Sequence, residues 1–320
     1  MNLPLRDYSY FESLKPEKDY IIKDVIPVKS LIMVVSPPAQ FKSLIIVNMA
    51  ICISKGKKWL GHRTKPKGVL ICDRENNETI VAQRWKQMRR GLRIRKKDVP
   101  LYYLPRTEGD LLKQEFINNL SQTIQSKNIK LLIFDTLHRY GDYQENSADD
   151  LSRLYTQSLA PLIDSTGVTI IFLHHTTKQG QYRGTGDFKG MCDLVYEIKR
   201  TKNSNYFTFN NSKGRMGERD SIKGLFEFSD KYIKISEING LLPTVANKKE
   251  IVLQEILFQF SNSNTILKKS EIEQKLKEIK FNYSESTLKR ALKDLVESKK
   301  LIQLDNKEGY SNQTTEVNNK

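Results

Sequence analysis

The chain has 320 residues, with 53 Lys+Arg against 37 Asp+Glu and a formal net charge of +16. That length and 38% hydrophobic content suit one good-sized domain plus a smaller one. The basic balance points to a polyanionic partner, nucleic acid first, or else to a lysine-rich surface. A membrane protein is excluded on expectation, since no apolar run reaches the ~18–20 residues of a transmembrane helix and the N-terminus lacks a signal-peptide core. Cys52, Cys72 and Cys192 are too widely spaced for a metal-ligand pair and read as buried thiols of a cytoplasmic protein.

Residues 1–30 are polar and irregular, with a possible short strand in "YIIKDVIPV", and are expected to pack on the core. "SLIMVVS" (30–36) then predicts a buried strand and "SLIIVNMAICISKG" (43–56) a helix stopped by Gly56. The same alternation continues with "GVLICD" (68–73), a helix over 77–92, "LYYLP" (101–105) and a helix over 110–128. "KLLIFD" (130–135), a helix over 147–167 with Ser147 as N-cap, and "VTIIFLHH" (168–175) follow. Strands that are apolar throughout and alternate with helices predict a mostly parallel sheet covered on both faces. Residues 193–215 and 225–238 alternate in steps of two, which predicts terminal antiparallel strands.

Residues 239–250 read as a linker. Helices are expected over 248–261, 268–281 and 284–301, followed by the short segment "IQLDNKEGY". Ser270 and Ser284 are the expected N-caps, with Glu273 completing a capping box for Ser270. Three helices and a possible β-wing predict a winged-helix domain over 248–310, with a disordered tail at 311–320.

The chemistry is concentrated at strand ends. Positions 36–43 read Ser36, Pro37, Pro38, Ala39, Gln40, Phe41, Lys42 and Ser43, between a strand and a helix. A phosphate loop belongs there, because helix N-terminal amides and the positive dipole end face an anion. Lys42 and Ser43 stand where the phosphate lysine and the Mg²⁺ hydroxyl belong, but Ser36 and Phe41 replace both glycines of the usual pattern. Read by itself, the string fits a plain strand–turn–helix better. Asp135 ends a buried strand, where a Mg²⁺-organising acid sits. Glu75 follows another strand and can orient or deprotonate a water, with Asp73 the alternative at that rim. His174 and His175 end a further strand on the same edge.

The run "SPPAQFKS", "ISKGKKWLGH", "GVLICDREN", "KLLIFDT" and "FLHHTTKQGQYRGTGDFKGMCDLVYEIKR" resembles the RecA-like P-loop NTPases of the RepA hexameric helicase group, over roughly residues 20–240. The resemblance implies an α/β ATPase domain at 31–240, ATP and Mg²⁺ as ligands, single-stranded DNA as partner and a hexameric ring. An aromatic residue often takes the second loop-glycine position in that family, so Ser36 is the further departure. The resemblance implies that Lys42 neutralises the β/γ-phosphates and that Ser43 and Asp135 hold Mg²⁺. It makes Glu75 the catalytic glutamate and His175 a γ-phosphate sensor. "SKGRMG" is similar to the family's Lys-x-Arg element, which implies that Lys213 and Arg215 reach a neighbouring subunit's site; a basic hairpin turn is the alternative.

Nucleic-acid candidates are Lys178, Arg183 and Lys189 after the histidine strand, and Lys289, Arg290 and Lys293 on the last helix. The segment 84–97 carries eight basic residues and no acid, either a nucleic-acid stripe or a solvated helix end. Residues 241–320 hold 14 Lys+Arg against 11 Asp+Glu, so protein docking competes with DNA binding there. The expected function is an oligomeric ATP-dependent motor on single-stranded DNA, a replicative helicase of a plasmid, virus or mobile element. The alternative is an ATP-controlled initiator, loader or regulator that does not separate strands. No primase signature is present, so a primase would act in trans.

Overall fold

The computed structural model describes residues 5–13, 19–38, 40–95, 99–106, 109–176, 186–201, 204–214, 220–238, 252–253, 256–257, 266–278, 283–298, 300–304 and 309–311. A short exposed helix α1 (Tyr8–Ser13) precedes a hairpin of β1 (Tyr20–Ile22) and β2 (Ile26–Pro27). Ile21, Ile22, Val25 and Ile26 of that hairpin are buried in the main core. The expected strand in this region is thus a hairpin, and its apolar residues join the segment to the core.

The alternating elements are β3 (Leu31–Ser36), α2 (Lys42–Lys55), β4 (Gly68–Asp73), α3 (Glu78–Gly91), β5 (Leu101–Leu104), α4 (Gln114–Ser126), β6 (Ile129–Asp135) and β7 (Thr169–His175). Between β6 and β7 run α5 (Ala148–Leu154), one π-helical turn (Tyr155–Leu159) and α6 (Ala160–Thr166). The helix expected over 147–167 is therefore interrupted by that π turn. Then come α7 (Gly186–Met191), β8 (Leu194–Arg200), β9 (Tyr206–Gly214), β10 (Ile222–Phe228) and β11 (Ile233–Glu237).

Nine strands form one sheet in the order β11-β10-β9-β8-β3-β7-β6-β4-β5. Strands β8, β3, β7, β6, β4 and β5 are mutually parallel, and β9, β10 and β11 add an antiparallel meander. Central strands β3 and β4 are buried at every residue, as expected for a sheet covered on both faces. Two apolar clusters lie on opposite faces, because alternate residues of each strand point to opposite sides: Ile32 and Val34 in one, Leu31, Met33 and Val35 in the other.

The meander curls back over the helices of the first face. Gly91 at the end of α3 lies against β11 so closely that a Cβ there would stand 2.0 Å from the Ile233 carbonyl oxygen. Gln87 donates to the Asp230 carbonyl at 3.2 Å and Arg90 to the Lys231 carbonyl at 3.2 Å. β11 ends the strand order on one side, yet it touches the helix that leaves β4 near the other side.

The C-terminal region has its own core of Val252, Ile256, Leu267, Ile272, Leu276, Leu288, Ala291, Leu292, Leu295 and Leu301. It contains α8 (Lys269–Glu278), α9 (Glu285–Glu297) and an antiparallel ribbon of β12 (Ile302–Gln303) and β13 (Tyr310–Ser311). Ser284 caps α9, accepting from Thr287 N at 3.2 Å, as expected. The capping box of α8 sits two residues earlier than expected: Glu271 accepts from Lys268 N at 2.7 Å. Ser311, expected in a disordered tail, is a buried residue of the ribbon. The three cysteines are free and buried. No helix among the described residues is long and apolar enough to cross a membrane.

Candidate nucleotide site

The carboxyl ends of β3, β4, β6 and β7 meet at one edge, where the segment after β3 turns into α2. Ser36 is the last β3 residue, buried and paired in register with His175. It is absent from the residues with positive φ, so its extended backbone requires no glycine. Its hydroxyl donates to the Pro37 carbonyl at 2.9 Å, and its own carbonyl accepts from Thr176 N at 3.1 Å. Phe41 is the opposite case: it precedes α2 in the left-handed conformation, with φ 61° and ψ 17°. That conformation costs a residue with a Cβ roughly 1–2 kcal/mol and costs glycine almost nothing. The Phe41 ring packs on Phe226 at 4.7 Å and Phe228 at 5.3 Å between centroids, and the Arg200 guanidinium lies 4.2 Å from its centroid. Tertiary packing thus holds a backbone state that the usual pattern leaves to glycine. Ala39 lies outside the described residues.

Lys42 opens α2 and is buried, its Nζ donating to the His174 carbonyl at 2.7 Å and lying 3.3 Å from His175 Nδ1. Burial lowers its ammonium to about 8, against the favourable field of Asp135 and Glu75. Asp135 ends β6 and is also buried. Burial pushes its carboxyl up to about 6, opposed by a hydrogen bond from Ser43, with nearby Asp73 and Glu75 pushing further upward. Asp135 Oδ1 has no hydrogen-bond partner among the described residues. A lysine and a carboxylate both kept from water, with an unsatisfied oxygen beside a hydroxyl, form a donor set that fits a magnesium–triphosphate.

The two acids after β4 have different jobs. Asp73 Oδ1 accepts from Glu75 N at 2.8 Å and Asn76 N at 3.0 Å, and Oδ2 accepts from Asn76 Nδ2 at 3.0 Å. It shapes the turn. Glu75 projects from that turn, with its Oε1 3.8 Å from His175 Nε2 and 3.8 Å from Arg139 Nε. Thr136 Oγ1 donates to the same oxygen at 3.4 Å. The hydrogen bond with His175 leads in lowering the Glu75 carboxyl below its usual range, so it is ionised at neutral pH.

Strand alternation separates the histidines. His175 faces Lys42 and Glu75, whereas His174 is buried on the other face, 3.6 Å from Glu145 Oε1 and stacked on Phe188 at 5.0 Å. Sequence reading missed Arg139, Thr136 and Arg106, whose Nη2 donates to the Glu75 carbonyl at 2.6 Å. Arg139 and Thr136 follow Asp135 within four residues, and that proximity was the available signal. No pattern pointed to Arg106.

The remaining candidates are dispersed. Lys213 on β9 donates to the carbonyls of Lys189, Gly190 at 3.0 Å and Cys192 at 2.9 Å, so within this chain it fastens the end of α7 to the meander. Lys189 lies in that last turn of α7. Arg215, Lys178 and Arg183 lie outside the described residues. Lys289, Arg290 and Lys293 are exposed on α9, with Lys293 3.6 Å from Glu297. In the basic stretch over 84–97, Arg89 donates to the Ile94 carbonyl at 2.8 Å and Arg84 to Asn76 Oδ1 at 3.1 Å, so part of its charge braces the fold.

A family model described as an AAA domain matches residues 3–181, more than half of the chain, and the chain belongs to that family. Among solved structures, an isolated ATPase domain aligns with a TM-score of 0.50 at 12% identity, over 64% of this chain and 84% of that one. A KaiC-like protein from Pyrococcus horikoshii OT3 aligns with a TM-score of 0.46 at 12% identity, over 67% of this chain and 93% of that one. The class is therefore a RecA-like P-loop ATPase fold, with an α/β core and a large, mostly parallel sheet.

Proposed function

We propose that the chain binds and hydrolyses ATP with Mg²⁺ as an oligomeric motor on single-stranded DNA, a replicative helicase of the RepA group from a plasmid, virus or mobile element. The observation that carries the reading is the convergence of Lys42, Ser43, Asp135, Glu75 and His175 on one sheet edge. Ser43 and Asp135 would hold the magnesium ion, which supplies charge neutralisation at the phosphates when bound. Lys42 leaves its strand-end carbonyl to bind the β/γ-phosphates, and the amides at the start of α2 line the same anion. Glu75, already ionised, orients the attacking water and accepts its proton. His175 touches both Lys42 and Glu75, so it is placed to sense the γ-phosphate.

Lys213 and Arg215 are proposed to complete a neighbouring subunit's site, which makes assembly into a hexameric ring part of the activity. Lys178, Arg183 and Lys189 are proposed for the DNA channel, and a primase for a partner acting in trans. The C-terminal helices and ribbon are read as a winged helix, with Lys289, Arg290 and Lys293 on its candidate recognition face. The exposure of those three cations supports a second reading, an ATP-controlled initiator or regulator that binds a defined site. ATPase assays with and without single-stranded DNA, paired with strand-separation assays and footprinting, decide between them. DNA-stimulated turnover that Lys42→Ala abolishes, together with unwinding, supports the motor. A discrete footprint without unwinding supports the regulator, and unimpaired hydrolysis by Lys42→Ala sinks the site.

A further inference from the structure

We infer that Arg200 is a positioning residue for the phosphate loop: it holds the Gln40–Phe41 corner in the left-handed turn that lets α2 present Lys42 and Ser43 to a nucleotide. The inference rests on the nucleotide reading above and adds a residue that no loop motif contains. Three contacts on two successive loop residues converge on it. The Arg200 backbone N donates to Gln40 Oε1 at 2.7 Å. Its guanidinium covers the Phe41 ring at 4.2 Å on the side not taken by Phe226 and Phe228. Its Nε donates to the Ser204 carbonyl at 2.6 Å, which stops the side chain from swinging away. Ser204 is itself buried and tied to the Thr201 carbonyl at 3.0 Å, so the anchor is part of the β8–β9 turn.

The placement follows from the topology. β8 runs parallel to β3 with Val35 opposite Glu197, so three residues further along β8 falls beside the loop that leaves β3. A phenylalanine at positive φ relaxes readily to the extended region unless its ring is held. Relaxation there would tilt the first turn of α2 and draw the Lys42 and Ser43 side chains and the leading amides away from the phosphates. A glycine at the same position needs no such hold. The function of Arg200 is therefore tied to the identity of residue 41, which a direct contact between Arg200 and the nucleotide would not be.

That dependence gives the test. The full chain, Arg200→Ala, Phe41→Gly and the double variant are titrated with the fluorescent analogue mant-ATP and Mg²⁺, with far-UV circular dichroism as a check of folding. Arg200→Ala is expected to weaken binding by about tenfold while retaining the wild-type spectrum. In the Phe41→Gly background the same Arg200→Ala change is expected to alter affinity by less than about twofold. Wild-type affinity in Arg200→Ala overturns the inference, and so does a tenfold loss that persists in the glycine background, which marks direct nucleotide contact. Arg200→Gln keeps the stem and the backbone donor; it carries the same expectations if the alanine variant does not fold. A wild-type chain that binds no mant-ATP overturns the nucleotide reading itself, an outcome distinct from binding that survives Arg200→Ala.

Discussion

The parallel half of the sheet and the antiparallel meander solve different problems at one site. The parallel strands end together and deliver Asp73, Glu75, Asp135 and His175 to a single edge. The meander supplies rings and backbone: Phe226 and Phe228 beneath Phe41, and Ile233 against Gly91. The first half carries chemistry in groups kept partly from water, and the second carries the packing that keeps those groups in place. Substitutions in the two halves are therefore expected to fail differently.

The sharpest contrast comes from Lys42→Ala, which removes the buried ammonium and is expected to cut ATP turnover by more than about a hundredfold at unchanged fold. Glu75→Gln is expected to lower turnover by about a hundredfold or more while mant-ATP binding stays near wild type. Matching losses of binding and turnover in Glu75→Gln would blur the division of labour on the parallel edge. On the meander, Phe226→Ala is expected to cost about 3–4 kcal/mol in denaturant unfolding, because it empties a fully buried ring site. It is also expected to weaken mant-ATP binding, since Phe41 loses its floor; unchanged affinity would uncouple the halves. Gly91→Ala is expected to destabilise by about 1–3 kcal/mol, as its Cβ collides with β11. The smallest effect is a pH dependence. The Glu75 carboxyl lies below its ordinary value in the folded chain, so its contribution is present above pH ~4.5 and fades as pH falls through the folded value. The melting-temperature gap between wild type and Glu75→Gln is expected to narrow in that acid window and to stay under about 1 kcal/mol at neutral pH.

Much of the parallel half was legible because its signals are local. Continuous apolar runs marked β3, β4, β6 and β7, and Ser147 and Gly56 marked helix ends where the structure has them. The meander's strands were legible from alternation, but its role was not. Phe226 and Phe228 stand 185 and more positions from Phe41, and no spacing rule joins them. Ser36 looked like a second damaged glycine position because the pattern lists residue types without their backbone angles. The Asp73–Glu75 choice was open in sequence and is narrowed by which oxygen meets which amide. The α8 capping box was misplaced because Lys268, a poor N-cap by type, uses its backbone N–H with Glu271. The π turn at Tyr155–Leu159 has no residue signature in a run that is otherwise good helix.

The curl of the meander has a consequence for synthesis. Phosphate-loop residues 36–43 leave the ribosome early, yet the rings that support Phe41 arrive with β10, near residue 226. Most of the parallel sheet can assemble while the loop still lacks its floor. A growing chain is therefore expected to acquire strand order first and a fixed nucleotide corner last, so that nucleotide capture reports on completion of the domain.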